Sequence, residues 1–336
     1  MAIFRMFADI LVSLSDGDDI CSRRLEHIAA THSYIAYYGN RKDLQERIKK
    51  QVSHIRWRNQ SCNSNPLSDE DEEVVRKWFS KSDWARNSGS FPDFVLEWEG
   101  SGLLGDGAII ELKDSKGEQI ASFNSTLPEA KKRLSSLSKG VLQATIWYQD
   151  TICKPISIDD ERDCFYLVRT HCKKQNQVRL SLVHGAFFET VSTRELLKSV
   201  WEKVLKEAEK DKGSVCDKER ESVLELLSAL NRETIAQTRR IEGASIKPRL
   251  RIMAEVEREG NPHTYNEIPE RTFNLIFKDD SAALEVESVV KLLEQDGVEG
   301  TVQQDKDSFT INGKTCHLKR LSHKRNGDFV LIQYQL

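Results

Sequence analysis

The spacing of apolar residues divides the chain into a helical beginning and a later part in which strands alternate with helices. In residues 1–60, apolar side chains recur at helical intervals, as at Leu44, Ile48 and Val52, which predicts helices. From Phe91 onward, short apolar runs between turn residues predict strands. We therefore expect the α/β (α+β) class, with a mixed central sheet flanked by helices.

The middle of the chain opens with a predicted β-hairpin. Its strands are residues 91–98 and 107–113, joined by a glycine-bearing loop. Pro128, placed in a first helical turn, helps to predict a helix over residues 126–138. A further helix is predicted at 141–148, followed by strands at 164–170, 178–183 and 186–191. Two helices come next: one begins at 192 and ends at a break over 211–217, and the other covers 218–241.

The C-terminal part predicts a small α+β module of order β-α-β-β-β. An alternating apolar run at 273–277 predicts its first strand, and a helix follows from a cap at Asp280 to near Gly297. Two Asn-Gly pairs, at 312–313 and 326–327, predict hairpin turns. The chain thus divides into a helical N-terminal region (1–90), a core with trailing helices (91–245) and the C-terminal module (246–336).

Composition narrows the class of protein. The 336 residues are 38% apolar and 31% charged, which excludes collagen-like, coiled-coil and disordered chains. No apolar run approaches the roughly 18 residues of a membrane span, so we expect no membrane association. Seven cysteines at scattered spacings fit free thiols in a reducing compartment, so we expect a cytoplasmic protein.

The net charge of −3 hides an uneven distribution. Residues 41–60 contain seven basic side chains against two acidic ones, and residues 313–327 contain five basic side chains and no acidic one. Such segments are suited to phosphate binding, and an aromatic ring can stack on a base. The candidate DNA-binding residues are Arg56, Trp57, Arg58, Lys319, Arg320, Lys324 and Arg325. The alternative for both segments is a solvated surface, with Trp57 in the core.

Candidate chemistry lies on the predicted hairpin. Asp93 enters its first strand, while Glu111 and Lys113 share one face of the second strand because side chains alternate. Two carboxylates can hold Mg²⁺, which prefers oxygen ligands and lowers the pKa of a bound water. A neighbouring lysine can stabilise developing negative charge. The pattern therefore favours phosphodiester hydrolysis over a purely structural role.

These residues resemble the motif of the PD-(D/E)XK nucleases. Pro92-Asp93 is followed by seventeen residues and then by Glu111-Leu112-Lys113. The resemblance implies a restriction-endonuclease-like sheet and Mg²⁺ as cofactor, for which Mn²⁺ can substitute. It also implies that Asp93, Glu111 and the Leu112 carbonyl are metal ligands and that Lys113 is the catalytic lysine. Additional acidic or helical site residues in such a family would be Glu72, Glu73 and Gln143.

The resemblance predicts a type II restriction enzyme-like endonuclease that cuts double-stranded DNA as a homodimer. A cognate DNA methyltransferase would belong to the same system without forming a stable complex, and the C-terminal module would serve DNA recognition or dimerisation. Two alternatives stay open, a structure-specific repair or recombination nuclease and a non-catalytic DNA-binding or regulatory protein. A second textual match, Asp114-Ser115-Lys116, would face away from Glu111 and is less favoured.

Overall fold

The structure is a computed structural model, and the part of the chain it describes is mixed α/β with one large mixed sheet. The described residues are 3–14, 25, 35–36, 91–95, 108–124, 127–137, 157–171, 178–188, 193–212, 217–228, 253–278, 285–295 and 298–336. The strands are β1 (Ile35–Ala36), β2 (Phe94–Val95), β3 (Ala108–Ser115), β4 (Ser122–Asn124), β5 (Lys131–Arg133), β6 (Glu161–His171), β7 (Val178–His184), β8 (Met253–Glu255), β9 (Thr272–Lys278), β10 (Thr301–Gln303), β11 (Ser308–Ile311), β12 (Lys314–His323) and β13 (Gly327–Gln335). The helices are α1 (Ile3–Ser13), α2 (Thr193–Lys212), α3 (Asp217–Ser228) and α4 (Val286–Gln295), and short 3-10 turns cover Leu134–Ser136, Gly185–Phe187, Arg258–Gly260 and Pro262–Thr264.

The main sheet has the strand order β1-β2-β3-β6-β7-β9-β13-β12-β11-β10, and β5 also pairs with β6. The β3/β6 and β7/β9 pairs are parallel, whereas the other pairs of this sheet are antiparallel. A separate small sheet joins β4 to β8. Because β7 pairs with β9, the strands of the core and those of the C-terminal segment share one hydrogen-bonded sheet. The expected boundary at residue 246 lies outside the described residues.

One face of the sheet is covered by α1, which buries an apolar stripe against β9. The ring of Phe4 meets Phe277 edge-on at 5.4 Å between centroids, and Phe7 stacks on Phe273 at 4.7 Å. Residues from α4, β3, β6, β7 and β13 complete this core. Burial of each large apolar side chain stabilises the fold by about 1.5–3 kcal/mol, so this layer is a principal source of stability.

Several strand and turn predictions are confirmed. The β2/β3 hairpin forms, β6 and β7 cover the strands expected at 164–170 and 178–183, and α2 begins one residue after the expected start. Both Asn-Gly pairs connect antiparallel strands. Asn312 and Gly313 have φ values of 49° and 79°, the left-handed backbone that a tight hairpin turn requires. The cap expected at Asp280 lies outside the described residues, and α4 is described from Val286.

Three local predictions are wrong because pairing and packing in the folded sheet override the local pattern. Residues 131–133 form β5 on the edge of β6, and 134–136 form a 3-10 turn, where a helix was expected. Residues 186–187 belong to a buried 3-10 turn, not to a strand, because Phe187 packs against aromatic rings of the C-terminal hairpin. Ile35 lies in β1, not in a helix, because it pairs with Val95.

Candidate active site

The β2/β3 hairpin brings together the acidic residues of the motif. Phe94 pairs with Ile110 in this antiparallel hairpin. Asp93, just before Phe94, therefore lies opposite Glu111, just after Ile110. The Oδ2 atom of Asp93 accepts a 2.8 Å hydrogen bond from the Leu112 backbone amide. This bond holds the Asp93 carboxylate against β3.

Lys113 lies beside Glu111 on the same face of β3. Its Nζ atom is 3.3 Å from Glu111 Oε1, and the two side chains are 15% and 14% exposed. The Lys113 ammonium also lies 5.2 Å from the centroid of the Phe123 ring. On the opposite face, Ile110 is buried in the core and Leu112 packs against it. The predicted facing of the hairpin is therefore confirmed.

Tyr166 lies beside Glu111 on the neighbouring parallel strand β6. Its ring is fully buried and meets the Phe123 and Phe188 rings edge-on, each at 5.2 Å between centroids. Burial and the neighbouring Cys164 and Glu111 raise the pKa of the Tyr166 phenol well above its ordinary value, so it stays protonated. The sequence alone does not reveal Tyr166 as a site residue, because only the strand order shows that it is next to Glu111.

A second carboxylate–lysine pair borders the site. Lys132 Nζ donates to Glu129 Oε2 at 2.7 Å and to the Leu127 carbonyl at 2.9 Å. The same ammonium lies 5.4 Å from the Phe91 ring, two residues before Asp93. The Lys132 side chain is only 9% exposed, and its two hydrogen bonds tie Lys132 to residues 127 and 129 beside the hairpin. The neighbouring basic residues of β5 pair likewise, Lys131 with Asp163 at 3.9 Å and Arg133 with Glu161 at 3.6 Å.

Asp114, from the second match to the motif (Asp114-Ser115-Lys116), has a structural role as the partner of a buried arginine. Arg169 Nε and Nη2 donate to the two Asp114 carboxylate oxygens at 3.0 and 2.6 Å, and His171 Nε2 lies 3.5 Å away. Partial burial opposes ionisation of Asp114, but the hydrogen bond and charge of Arg169 outweigh it and lower its pKa. The Arg169 side chain is 5% exposed, so Asp114 neutralises a buried guanidinium.

The basic residues of the β12–β13 hairpin differ in their partners. Lys324 Nζ lies 2.6 Å from Glu259 Oε1, and Arg325 lies 3.6 Å from both Glu257 and Glu259. Lys319 is exposed and donates to Gln333 Oε1 at 2.6 Å, and Arg320 is also exposed. Carboxylates therefore partly neutralise the tip of the hairpin, whereas Lys319 bonds to an uncharged amide.

The remaining predicted site residues lie outside the described residues and are not placed. They are Arg56, Trp57, Arg58, Glu72, Glu73 and Gln143.

The donor set of the hairpin fits a hard divalent cation. In the described part of the chain, no three His, Cys, Asp or Glu side chains form a group that could hold a metal ion. Mg²⁺, however, is commonly bound by one or two carboxylates together with waters and substrate phosphates. Asp93, immediately before β2, and Glu111, in β3, supply that minimum.

A row of buried polar side chains crosses the face of the sheet that carries Glu111 and Lys113. His263 contacts Thr170 Oγ1 through Nδ1 at 2.6 Å and Ser181 Oγ through Nε2 at 2.8 Å. Asn274 donates to Ser181 Oγ at 3.1 Å and accepts from Gln333 Nε2 at 2.9 Å. Since Gln333 also accepts from Lys319, the row links β6 to the exposed surface of β12.

Comparison with known proteins identifies no relative: no protein-family model, no curated protein sequence and no solved structure matches the chain. Among the described residues, no helix is both long and apolar enough to cross a membrane.

Proposed function

We propose that the chain is a Mg²⁺-dependent endonuclease of the PD-(D/E)XK type that hydrolyses phosphodiester bonds in double-stranded DNA. The observation that carries this proposal is the placement of Asp93 opposite Glu111, with Glu111 and Lys113 on one face of β3. Packing alone gives no reason to keep an ammonium and two carboxylates together at this partly buried position.

Each of the three side chains has a distinct part in the proposed reaction. The Leu112 amide holds Asp93, which with Glu111 would bind the metal ion. Bound Mg²⁺ would supply an activated water and neutralise charge on the phosphate. Lys113 would then leave its contact with Glu111 to orient the water or to stabilise the negative charge that develops on the phosphate.

The order of strands supports the same family. A hairpin is followed by β6, which runs parallel to β3 and so requires a crossover connection between them. The resemblance to the PD-(D/E)XK nucleases implies a helix in that crossover. The described part of the crossover contains β5 and a 3-10 turn, and residues 138–156 lie outside the described residues.

The proposed restriction enzyme cuts both strands of a palindrome and is therefore a C2 homodimer. Exposed apolar side chains on the α2–α3 pair support a subunit contact: Val200, Val204 and Val223 are 47%, 49% and 41% exposed. Sedimentation of the purified protein tests this assembly. A monomer at all concentrations up to those used for cleavage would contradict it.

The deciding experiment incubates purified protein with plasmid and phage DNA in the presence of Mg²⁺, Mn²⁺ or EDTA. The test variants are Asp93→Asn, Glu111→Gln and Lys113→Met. We expect discrete bands with wild-type protein, and their loss in EDTA and in all three variants. The matched control is Lys116→Met, which removes the lysine of the competing match and should leave cleavage intact.

Other outcomes separate the alternatives. Cleavage of branched or damaged DNA without discrete bands on intact duplex would indicate a structure-specific nuclease. Binding of duplex DNA without cleavage in either metal would indicate a non-catalytic DNA-binding protein. Loss of cleavage in Lys116→Met but not in Lys113→Met would indicate that Asp114 and Lys116, and not Glu111 and Lys113, are the motif residues.

A further inference from the structure

The hydroxyl group of Tyr166 is buried beside the candidate site, and its hydrogen has no acceptor among the described residues. The residue is 0% exposed, and the Glu129 backbone approaches its oxygen as a hydrogen-bond partner. Within the described residues, no acceptor for the hydroxyl hydrogen lies at hydrogen-bonding distance. A buried hydroxyl whose hydrogen lacks an acceptor lowers stability, so native proteins rarely keep one without a reason. A phenylalanine would fill the same apolar pocket without this cost.

The position of the Tyr166 ring is fixed by its neighbours. Phe123 and Phe188 meet it edge-on, and Phe123 in turn lies under the Lys113 ammonium. Glu111 is paired with Tyr166 across the β3/β6 ladder. Parallel strands lie about 4.8 Å apart, so the two side chains stand next to each other on one face.

We propose that the Tyr166 hydroxyl is a positioning group for Glu111, to which it donates a hydrogen bond directly or through one water when the site holds a divalent cation. This inference rests on the proposed function. A carboxylate that binds a metal is itself oriented by hydrogen bonds, and loss of such a partner typically weakens metal affinity 10- to 100-fold.

The test compares Tyr166→Phe with wild-type protein and with a matched control, Tyr265→Phe. The control also removes one phenolic oxygen, which donates to the Glu259 carbonyl at 2.8 Å away from the hairpin. Isothermal titration with Mn²⁺ gives the metal Kd without requiring turnover, and thermal unfolding in EDTA gives the melting temperature. Glu111→Gln is included to show that the measured Mn²⁺ is bound at this site.

We expect Tyr166→Phe to raise the Mn²⁺ Kd about 10-fold or more while its melting temperature in EDTA is unchanged or higher. Tyr265→Phe should keep the wild-type Kd. An unchanged Kd in Tyr166→Phe, or a variant that unfolds, would overturn the inference and assign the hydroxyl a structural role. If wild-type protein binds no Mn²⁺, or if Glu111→Gln binds it as well as wild type does, the proposed function fails too.

Discussion

Acidification from pH 7 to pH 5 should destabilise the folded chain through His263. The His263 imidazole is 4% exposed and bonded to two neutral hydroxyls, those of Thr170 and Ser181. These partners satisfy a neutral ring, which donates through one nitrogen and accepts through the other. They provide no negative charge for a protonated ring, and the nearby Arg179 guanidinium repels one.

The size of the effect follows from the shift in pKa. Burial, reinforced by the charge of Arg179, lowers the His263 pKa from 6.5 to about 3. Below pH 6.5 the unfolded chain therefore binds one more proton than the folded chain, so stability is fully present above that pH and is lost as the pH falls toward 3. Linkage gives about 1.4 kcal/mol per pH unit within the window, or about 2 kcal/mol between pH 7 and pH 5.

The chosen window isolates this group from most carboxylates. The ordinary pKa values of Asp and Glu, 3.8 and 4.5, lie below pH 5. His323 is also buried with a lowered pKa, so it adds a loss of the same sign. A variant that removes only the His263 imidazole is therefore needed to assign the effect.

The assay is urea unfolding of wild type and His263→Gln at pH 7 and pH 5 in EDTA, followed by circular dichroism. His263→Gln should be the less stable protein at pH 7, because hydrogen bonds and packing are lost. Its free energy of unfolding should, however, fall by about 2 kcal/mol less than that of wild type on acidification. Equal falls in the two proteins would refute the assignment of a buried neutral imidazole.

Three further predictions concern packing, a partly buried ion pair and DNA binding. Gly185→Ala should lower stability by about 1–3 kcal/mol in thermal unfolding, because a Cβ atom there would lie 1.8 Å from the Glu129 carbonyl oxygen; an unchanged melting temperature would contradict this close approach. Asp114→Asn should lower stability by about 1–3 kcal/mol in urea because Arg169 loses its counter-charge, yet cleavage should persist; lost cleavage in a folded variant would contradict this. Lys319→Ala should reduce the slope of log affinity for duplex DNA against log salt by about 1, and an unchanged slope would remove Lys319 from the interface.

The features that could be predicted correctly from the sequence are those that depend only on residues close to one another in the chain. The Asn312-Gly313 turn forms because the left-handed backbone it needs is accessible to these two residue types. The facing of Glu111 and Lys113 follows from alternation along one strand, which holds whatever the neighbours of that strand are.

The rest depends on pairings between segments that are far apart in the sequence. Lys131 looked helical in its local context but lies in a strand because β6 offers it an edge. Tyr166 gains its place beside Glu111 only through the parallel β3/β6 pairing, and His263 reaches the sheet from the 3-10 turn Pro262–Thr264. No periodicity within a single segment contains that information.

The contact of α1 with β9 also constrains the order of events during synthesis. Phe7 stacks on Phe273, so the first helix leaves the ribosome long before the strand that covers its apolar face. The contact closes a loop of more than 250 residues between α1 and β9. The entropic cost of closing a loop grows only logarithmically with its length, so this loop costs little more than a shorter one. Contacts between residues so far apart in the sequence nevertheless slow folding. Until β9 emerges, Phe4 and Phe7 lack the rings of Phe277 and Phe273 against which they pack in the folded chain.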